Sequence, residues 1–478
     1  RPTDSFTLFN AGVEFQRAGR HEEALDHFRR SFANLETLQA YYASLLVRNI
    51  VATLHELGRD DEALEVLVDG LQAYPDFADL HHLEGRILAA RREYRGAVSS
   101  FRRAIEFGNL AGDRYLTQAG MGSFYSLATL GSLYRMMGDN GEAVRCLKRS
   151  IEEAGGYFPA PVPILTRALL ETDPPEVVRE YMSRLVSDRR RGDSMCLVAS
   201  VLMEQGHPEE ARTALNEARA CGADEGTVRI MLAGASMRLG DLAQARAELA
   251  AVGGGDGPAR RRAWAMLTLI GLMEGDHAAA GVALRELDDA DDAARVSAYR
   301  LAVRAHEGAV PAAPDLDVAG RAQLLDTLFT IARTFIDLGY TDSFNRITPV
   351  LYAAAGRPAA VDERLGLLLL EQGFIEPAAD RLLVAASGGS ASPDAFAALG
   401  HICRERDMVE GDENFYAEAL ARERETVSRY LDLAGVMVGA GRYADASTVL
   451  REGLIMHPHS TVLGELRRSM TLLAGAGA

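Results

Sequence analysis

Small residues return in this chain at fixed distances from one another, and those distances rule out most ways of folding it. Gly85 is followed by Ala97, Phe101 and Ala104, and Gly131 is followed at the same offsets by Ala143, Leu147 and Ser150. A small residue in one helix, facing a small-then-large pair in the next, is what two antiparallel helices need for close approach. A second set of glycines marks the turns between them: Gly19, Gly58, Gly138, Gly206, Gly240, Gly275, Gly339, Gly373 and Gly441. Glycine supplies the left-handed backbone angle that ends a helix. Gly206 and Gly240 lie 34 residues apart, as do Gly339 and Gly373. Five positions past these glycines stand Ala24, Ala63, Ala143, Ala211, Ala245, Ala280, Ala378 and Ala446, with Phe344 as the exception.

This spacing resembles the tetratricopeptide repeat family, whose units carry a small residue at position 8, an aromatic at 11, alanine at 20, a large apolar residue at 24 and often proline at 32. Residues 5–38 match with Gly12, Phe15, Ala24 and Phe28, and residues 44–77 match with Leu54, Ala63, Leu67 and Pro75. Units 44–77 and 78–111 join without a gap, as do 359–392, 393–426 and 427–460. The resemblance implies an all-α fold, a right-handed α-solenoid of about eleven to twelve helix-turn-helix pairs.

The phasing divides the chain into five stretches. Residues 1–157 read as N-terminal repeats with inserts near 39–43 and 112–123. Residues 158–294 hold degenerate and regular repeats, the first carrying Pro159, Pro161, Pro163, Pro174 and Pro175, so that proline sets its turn. Residues 295–323 break the phase, with a helix to about His306 and then a loop containing Pro311 and Pro314. Repeats resume over 324–460, and 461–478 reads as a capping helix over the last apolar edge.

Composition sets further limits. No run of about 18 uncharged apolar residues occurs, so no transmembrane helix is expected. The chain opens at Arg1 without a signal peptide and almost at once enters a repeat, which reads as a fragment of a longer cytoplasmic protein. Cys146, Cys196, Cys221 and Cys403 are widely spaced and lie in helical patterns, as free thiols in a reducing compartment would. A net charge of -17 argues against a nucleic-acid partner, and the basic runs Arg189–Arg191 and Arg260–Arg262 read as solvated helix ends.

No arrangement points to catalysis, a cofactor or a metal. Asp289-Ala290-Asp291 and Asp315-Leu316-Asp317 match the Asp-x-Asp pattern of many glycosyltransferases, but they fall in a helical linker and a proline-rich loop rather than after a strand. His81 and His82 are adjacent, so in a helix they point about 100° apart and cannot easily share a metal. His457 and His459 flank Pro458 at a repeat's terminal proline, where a turn is expected. Catalysis by a lone groove histidine, His55 or His82, is the remaining enzymatic reading.

The first third of the chain is more particular. Phe6-Thr7-Leu8-Phe9-Asn10-Ala11-Gly12, Tyr74-Pro75-Asp76-Phe77-Ala78-Asp79-Leu80 and Leu130-Gly131-Ser132-Leu133-Tyr134 resemble the repeat segment that follows a family 2 glycosyltransferase domain in bacteria. The resemblance covers about residues 1–155. It implies a catalytic domain upstream in the parent polypeptide, with the residues here binding an acceptor or partner. A stand-alone scaffold or regulatory adaptor is the alternative.

In the repeat family the concave groove is built from helix A, mainly positions 2, 5, 9, 12 and 13. Those positions give Phe9, Val13, Gln16 and Arg17, then Arg48, Ala52, His55 and Glu56, then His82 and Arg86, then Tyr125, Ser132 and Arg135. Arginine and histidine recurring there favour a protein or peptide partner that is acidic or phosphorylated, or a phosphate-bearing glycan precursor. Asn10 and Asn49 share position 6, a short resemblance to the asparagine ladder of O-linked N-acetylglucosamine transferases; Leu83 and Thr129 end it. Near the C-terminus Leu431, Gly435 and Val438 beside Ser428 make the same stripe apolar.

Overall fold

A computed structural model describes residues 4–38, 41–108, 115–156, 158–186, 190–253, 257–287, 293–309, 314–355, 358–389, 391–406, 409–424, 426–457 and 460–476. Asp289, Asp291, Arg189, Pro311, Pro458 and His459, singled out above, lie outside the described residues. The described residues form twenty-six helices and no strand. The fold is an all-α array of helix pairs, in two compact units, residues 1–235 and 236–478.

In the first unit α1 (Ser5–Arg17) pairs with α2 (His21–Ala33), α3 (Ala43–Glu56) with α4 (Asp60–Ala73), and α5 (Ala78–Ala90) with α6 (Tyr94–Phe107). Then α7 (Phe124–Met136) pairs with α8 (Asn140–Ala154), α9 (Pro161–Leu170) with α10 (Pro175–Leu185), and α11 (Arg191–Glu204) with α12 (Pro208–Ala220). Helix α13 (Glu225–Arg238) runs across the boundary between the units. In the second unit α14 (Leu242–Val252) packs on α15 (Pro258–Met273), which pairs with α16 (His277–Leu287). Helix α17 (Ala293–His306) has no second helix of its own and precedes the pair α18 (Val318–Asp337) and α19 (Thr341–Ala354). The pairs α20 (Pro358–Glu371) with α21 (Ile375–Ser387), α22 (Pro393–Glu405) with α23 (Val409–Arg422), and α24 (Val427–Gly439) with α25 (Tyr443–Met456) follow, and α26 (Thr461–Ala476) packs on α25.

Five of the pairs are locked by the same contact. The large residue of the second helix stands sixteen positions after a glycine of the first and presses onto it, so closely that a Cβ at Gly12 would come within 2.6 Å of the Phe28 ring. The equivalent distances are 2.8 Å for Gly85 and Phe101, 2.6 Å for Gly131 and Leu147, 2.7 Å for Gly366 and Leu382, and 2.8 Å for Gly400 and Tyr416. Phe28, Phe101, Leu147, Leu382 and Tyr416 are fully buried, each worth roughly 1.5–3 kcal/mol of hydrophobic stabilisation. All eight alanines five positions past a turn glycine are also fully buried. The nine turn glycines have φ between +71° and +80°.

The α5–α6 turn keeps this geometry without glycine. Arg92 stands five positions before Ala97 and has φ +62°, the one non-glycine residue in that region among those described. Left-handed backbone at a residue with a Cβ costs about 1–2 kcal/mol. The proline-rich pair replaces the glycine turn altogether: Pro174 is extended and Pro175 opens α10, where a missing amide hydrogen is harmless. Helix α18 begins at Val318, inside the stretch read as a loop, because the Asp317 carboxylate accepts the Gly320 amide at 2.7 Å and caps it. Asp317 is thus an N-cap, a local reason for one half of that Asp-x-Asp pattern.

Two substitutions test this register. Gly131→Leu forces a side chain into Leu147 and is expected to lower unfolding free energy in urea by about 1–3 kcal/mol; an unchanged midpoint would reject the interlock. Arg92→Gly relieves the left-handed strain and is expected to raise stability by about 1 kcal/mol by the same measurement, whereas a loss would mean the arginine side chain contributes more than its backbone costs.

Candidate functional site

The first helices of the pairs lie side by side, α1 on α3 and α3 on α5, then α7 on α9 and α9 on α11. The residues expected from the sequence to line a groove fall on these helices, and Gln16 donates to the Thr53 hydroxyl at 3.2 Å across the first junction. Asn10 and Arg17 are exposed there, while Val13, Gln16, Arg48, His55, Arg86, Tyr125, Ser132 and Arg135 are half-buried.

Three expected contact residues are not open to a ligand. Phe9 is 8% exposed, stacked among Phe6, Phe28 and Tyr42; Asn49 is 6% exposed; and His82 is 4% exposed. Asn49 is turned inward to accept from Arg48 at 2.9 Å, so Asn10 and Asn49 do not make a ladder of surface amides.

The cause of much of this burial is the chain itself. Between α6 and α7 the segment 115–123 lies over α3 and α5. The Tyr115 hydroxyl donates to Asp76 at 2.7 Å, and its ring lies against Tyr74 and Phe77. The Gln118 amide donates to Asp79 Oδ2 at 3.1 Å, and Arg48 Nη2 donates to the Gln118 side-chain oxygen. His82 bonds Ser126 Oγ through Nδ1 at 2.8 Å, and Ser126 Oγ in turn donates to the Met121 carbonyl. The break in spacing between Gly85 and Gly131 signalled an insertion, but nothing in its residues said that it would lie on this face.

Burial leaves its mark on the charges. It pushes the Asp79 carboxyl up to about 6 against the opposing pull of the Gln118 amide and Arg48, and it pushes the His82 imidazole down to about 3, with Arg86 and Arg48 adding to the fall. It also lowers the Arg48 guanidinium, which Asp79 only partly offsets. Arg48 Nε and Asp79 Oδ1 are left without a hydrogen bond, although Nε stands 3.7 Å from Oδ2.

The arginines of this face already have anionic neighbours one repeat away. Arg86 pairs with Glu56 at 3.4 Å, Arg135 with Glu171 at 2.9 Å, and Arg167 with Glu204 at 2.6 Å. Arg17 pairs within its own helix with Glu14, and His55 bonds Asp60 at 2.8 Å. Exposed pairs of this kind contribute about 0–1 kcal/mol each. The stripe that read as attractive to an acidic partner is therefore largely neutralised inside the chain.

The histidine and serine at this face do not form a working nucleophile and base. Ser126 is fully buried and commits its hydrogen to a backbone carbonyl, so His82 Nδ1 donates to the hydroxyl instead of accepting its proton. His81 points elsewhere, to the Pro75 carbonyl at 2.9 Å, and stacks on Phe107. Among the described residues no group of three or more His, Cys, Asp and Glu side chains is placed to hold a metal, and no helix is long and apolar enough to cross a membrane. Cys146, Cys196, Cys221 and Cys403 are free thiols.

In the second unit Leu431 and Val438 are half-buried against the core of α24 and α25. Helix α26 buries Leu463 and Met470 there, while Val462, Leu466, Leu472 and Leu473 stay exposed.

Residues 202–270, from the end of α11 into α15, match the tetratricopeptide repeat family. The crystal structure of the APC/C hetero-tetramer Cut9-Hcn1 aligns over 98% of this chain and 90% of that one, at 13% identity and a TM-score of 0.25. No curated protein matches the chain.

His82 and Asp79 make opposite contributions to acid stability. A histidine held neutral in the fold takes its proton only on unfolding, so His82 withdraws stability as the pH falls from 6.5 toward 3. A carboxyl whose folded value is raised does the reverse, and Asp79 adds stability as the pH falls from about 6 toward 3.8. In urea unfolding between pH 7 and pH 4, His82→Gln is expected to gain relative to the unaltered protein and Asp79→Asn to lose. Parallel curves for all three would mean that neither group is shielded by the segment 115–123.

Proposed function

We propose that this chain is a non-catalytic interaction scaffold whose partners are proteins or peptides. The observation that carries the reading is the interlock of a glycine and a large residue repeated in five helix pairs, with a tetratricopeptide repeat match at residues 202–270. Such arrays bury only neighbour against neighbour and leave long helical faces for recognition. The open part of the first-helix face, at Asn10, Val13, Gln16 and Arg17, is the proposed contact surface in the first unit. Its mixed character favours a polar, hydrogen-bonding partner over one recognised by charge alone.

The finer reading places the scaffold beside a bacterial family 2 glycosyltransferase domain in the same polypeptide, holding an acceptor or partner for it. The support is the resemblance of residues 1–155. The reading frame upstream decides this: a strand-rich domain with an Asp-x-Asp motif supports it, and an initiation codon directly before residue 1 leaves the free-standing adaptor.

The scaffold reading is tested with the full chain immobilised as bait in lysate of its source organism, beside a Val13→Glu/Gln16→Lys variant. At least one protein is expected to be retained by the unaltered chain and about tenfold less by the variant, the weakening that loss of a central contact brings. Equal capture by both moves the contact surface off this face. Turnover of a nucleotide sugar by the isolated chain would overturn the non-catalytic assignment.

A further inference from the structure

The second unit holds a cleft of about 350 Å³ among α18, α19, α20 and α21, a size in the range of small-ligand sites. Its walls are Ile336, Phe344, Leu365, Leu369 and Phe374. Two departures from the repeat occur on its α19 side. Phe344 stands where eight other pairs place a fully buried alanine, and Pro349 lies inside the helix. Proline has no amide hydrogen, so the backbone carbonyl of Asn345, four residues earlier and on the lining, has lost its helical donor. An acceptor without its donor thus borders an apolar cleft.

The opposite wall supplies donors. Arg381, also on the lining, is fixed by one nitrogen: Nη1 donates to the Tyr352 hydroxyl at 2.5 Å and to Asp362 Oδ1 at 3.0 Å, and Tyr352 donates to the same carboxylate. Asp362 is 5% exposed and anchors the group from behind. Nε and Nη2 of Arg381 have no partner among the described residues, and these two nitrogens form the fork that matches a carboxylate.

We propose that this cleft binds a compact apolar carboxylate that carries an amide N–H beside it, the chemistry of an N-acylated leucine or phenylalanine. The side chain fills the apolar walls, the carboxylate takes the free edge of Arg381, and the amide hydrogen meets the Asn345 carbonyl. The site is built by α18 to α21 of the second unit and shares no residue with the face at Asn10, Val13, Gln16 and Arg17 proposed for protein partners.

Calorimetric titration of the full chain with N-acetyl-phenylalanine tests the assignment, with N-acetyl-phenylalaninamide as control. The acid is expected to bind with a dissociation constant on the order of 1 mM or tighter, and the amide about tenfold more weakly. Thr348→Trp, which fills the cleft, is expected to abolish binding with an unchanged melting temperature. A pentapeptide ending in phenylalanine distinguishes the source: tighter binding than the small acid marks a chain end, equal binding a free metabolite, and both support the shared chemistry. Equal affinity for acid and amide on the unaltered protein overturns the proposal without recourse to any variant, as does the absence of binding at 5 mM, about five times the weakest expected constant. Binding retained by a folded Thr348→Trp variant overturns it as well.

Discussion

The contact of a large side chain with a missing one holds this protein together. A ring or isobutyl group from the second helix of a pair enters the space that a glycine leaves on the first, at Gly12, Gly85, Gly131, Gly366 and Gly400. The contact lies between helices adjacent in sequence, so each of these pairs is closed by contacts local in the chain. Stacking then repeats the step. This is why a chain of 478 residues needs no single large core, and why its buried residues gather in a succession of clusters along the array.

Electrostatics decorates this frame without building it. Arg29 with Glu62, Arg179 with Glu210, Arg333 with Glu371 and Arg442 with Glu413 all join neighbouring pairs at about one repeat's distance, and all are at least partly in water. Each adds little alone, but together they consume the guanidinium groups that a reading of residue types offers to a ligand. At two of the buried charges, Asp79 and Asp362, the surrounding structure departs from the repeat: an insertion covers the first, and Tyr352 of the proline-bearing helix α19 bonds the second. Departures from regularity, more than the regular units, are where this scaffold acquires particular chemistry.

Much of the fold was legible in the residues. The turn glycines, the buried alanines and the glycine-to-large offset each mark a position that tolerates one kind of side chain, and local constraints of that strength survive any tertiary context. The α5–α6 turn carries no glycine to mark it, although Gly85, Ala97 and Phe101 identify its helix pair, and Arg92 holds the left-handed angle instead. The candidate face was less legible. Positions 5 and 6 of the repeat put Arg48, Asn49 and His82 on it, and the backbone agrees, but a face predicted by periodicity is open only if nothing else in the chain lies on it.

Sequence alone therefore determined the helix pairs, their turns and the residues that lock them, because those depend on groups separated by a few helical turns. Tertiary structure alone decided what remains accessible. Segment 115–123 closes over α3 and α5, arginines meet glutamates one repeat away, and Phe344 and Pro349 border a cleft with Arg381 on its far side. The physical reason is range: packing within a pair is set by sterics over sixteen residues, whereas solvent access and the pairing of charge depend on every element that comes near.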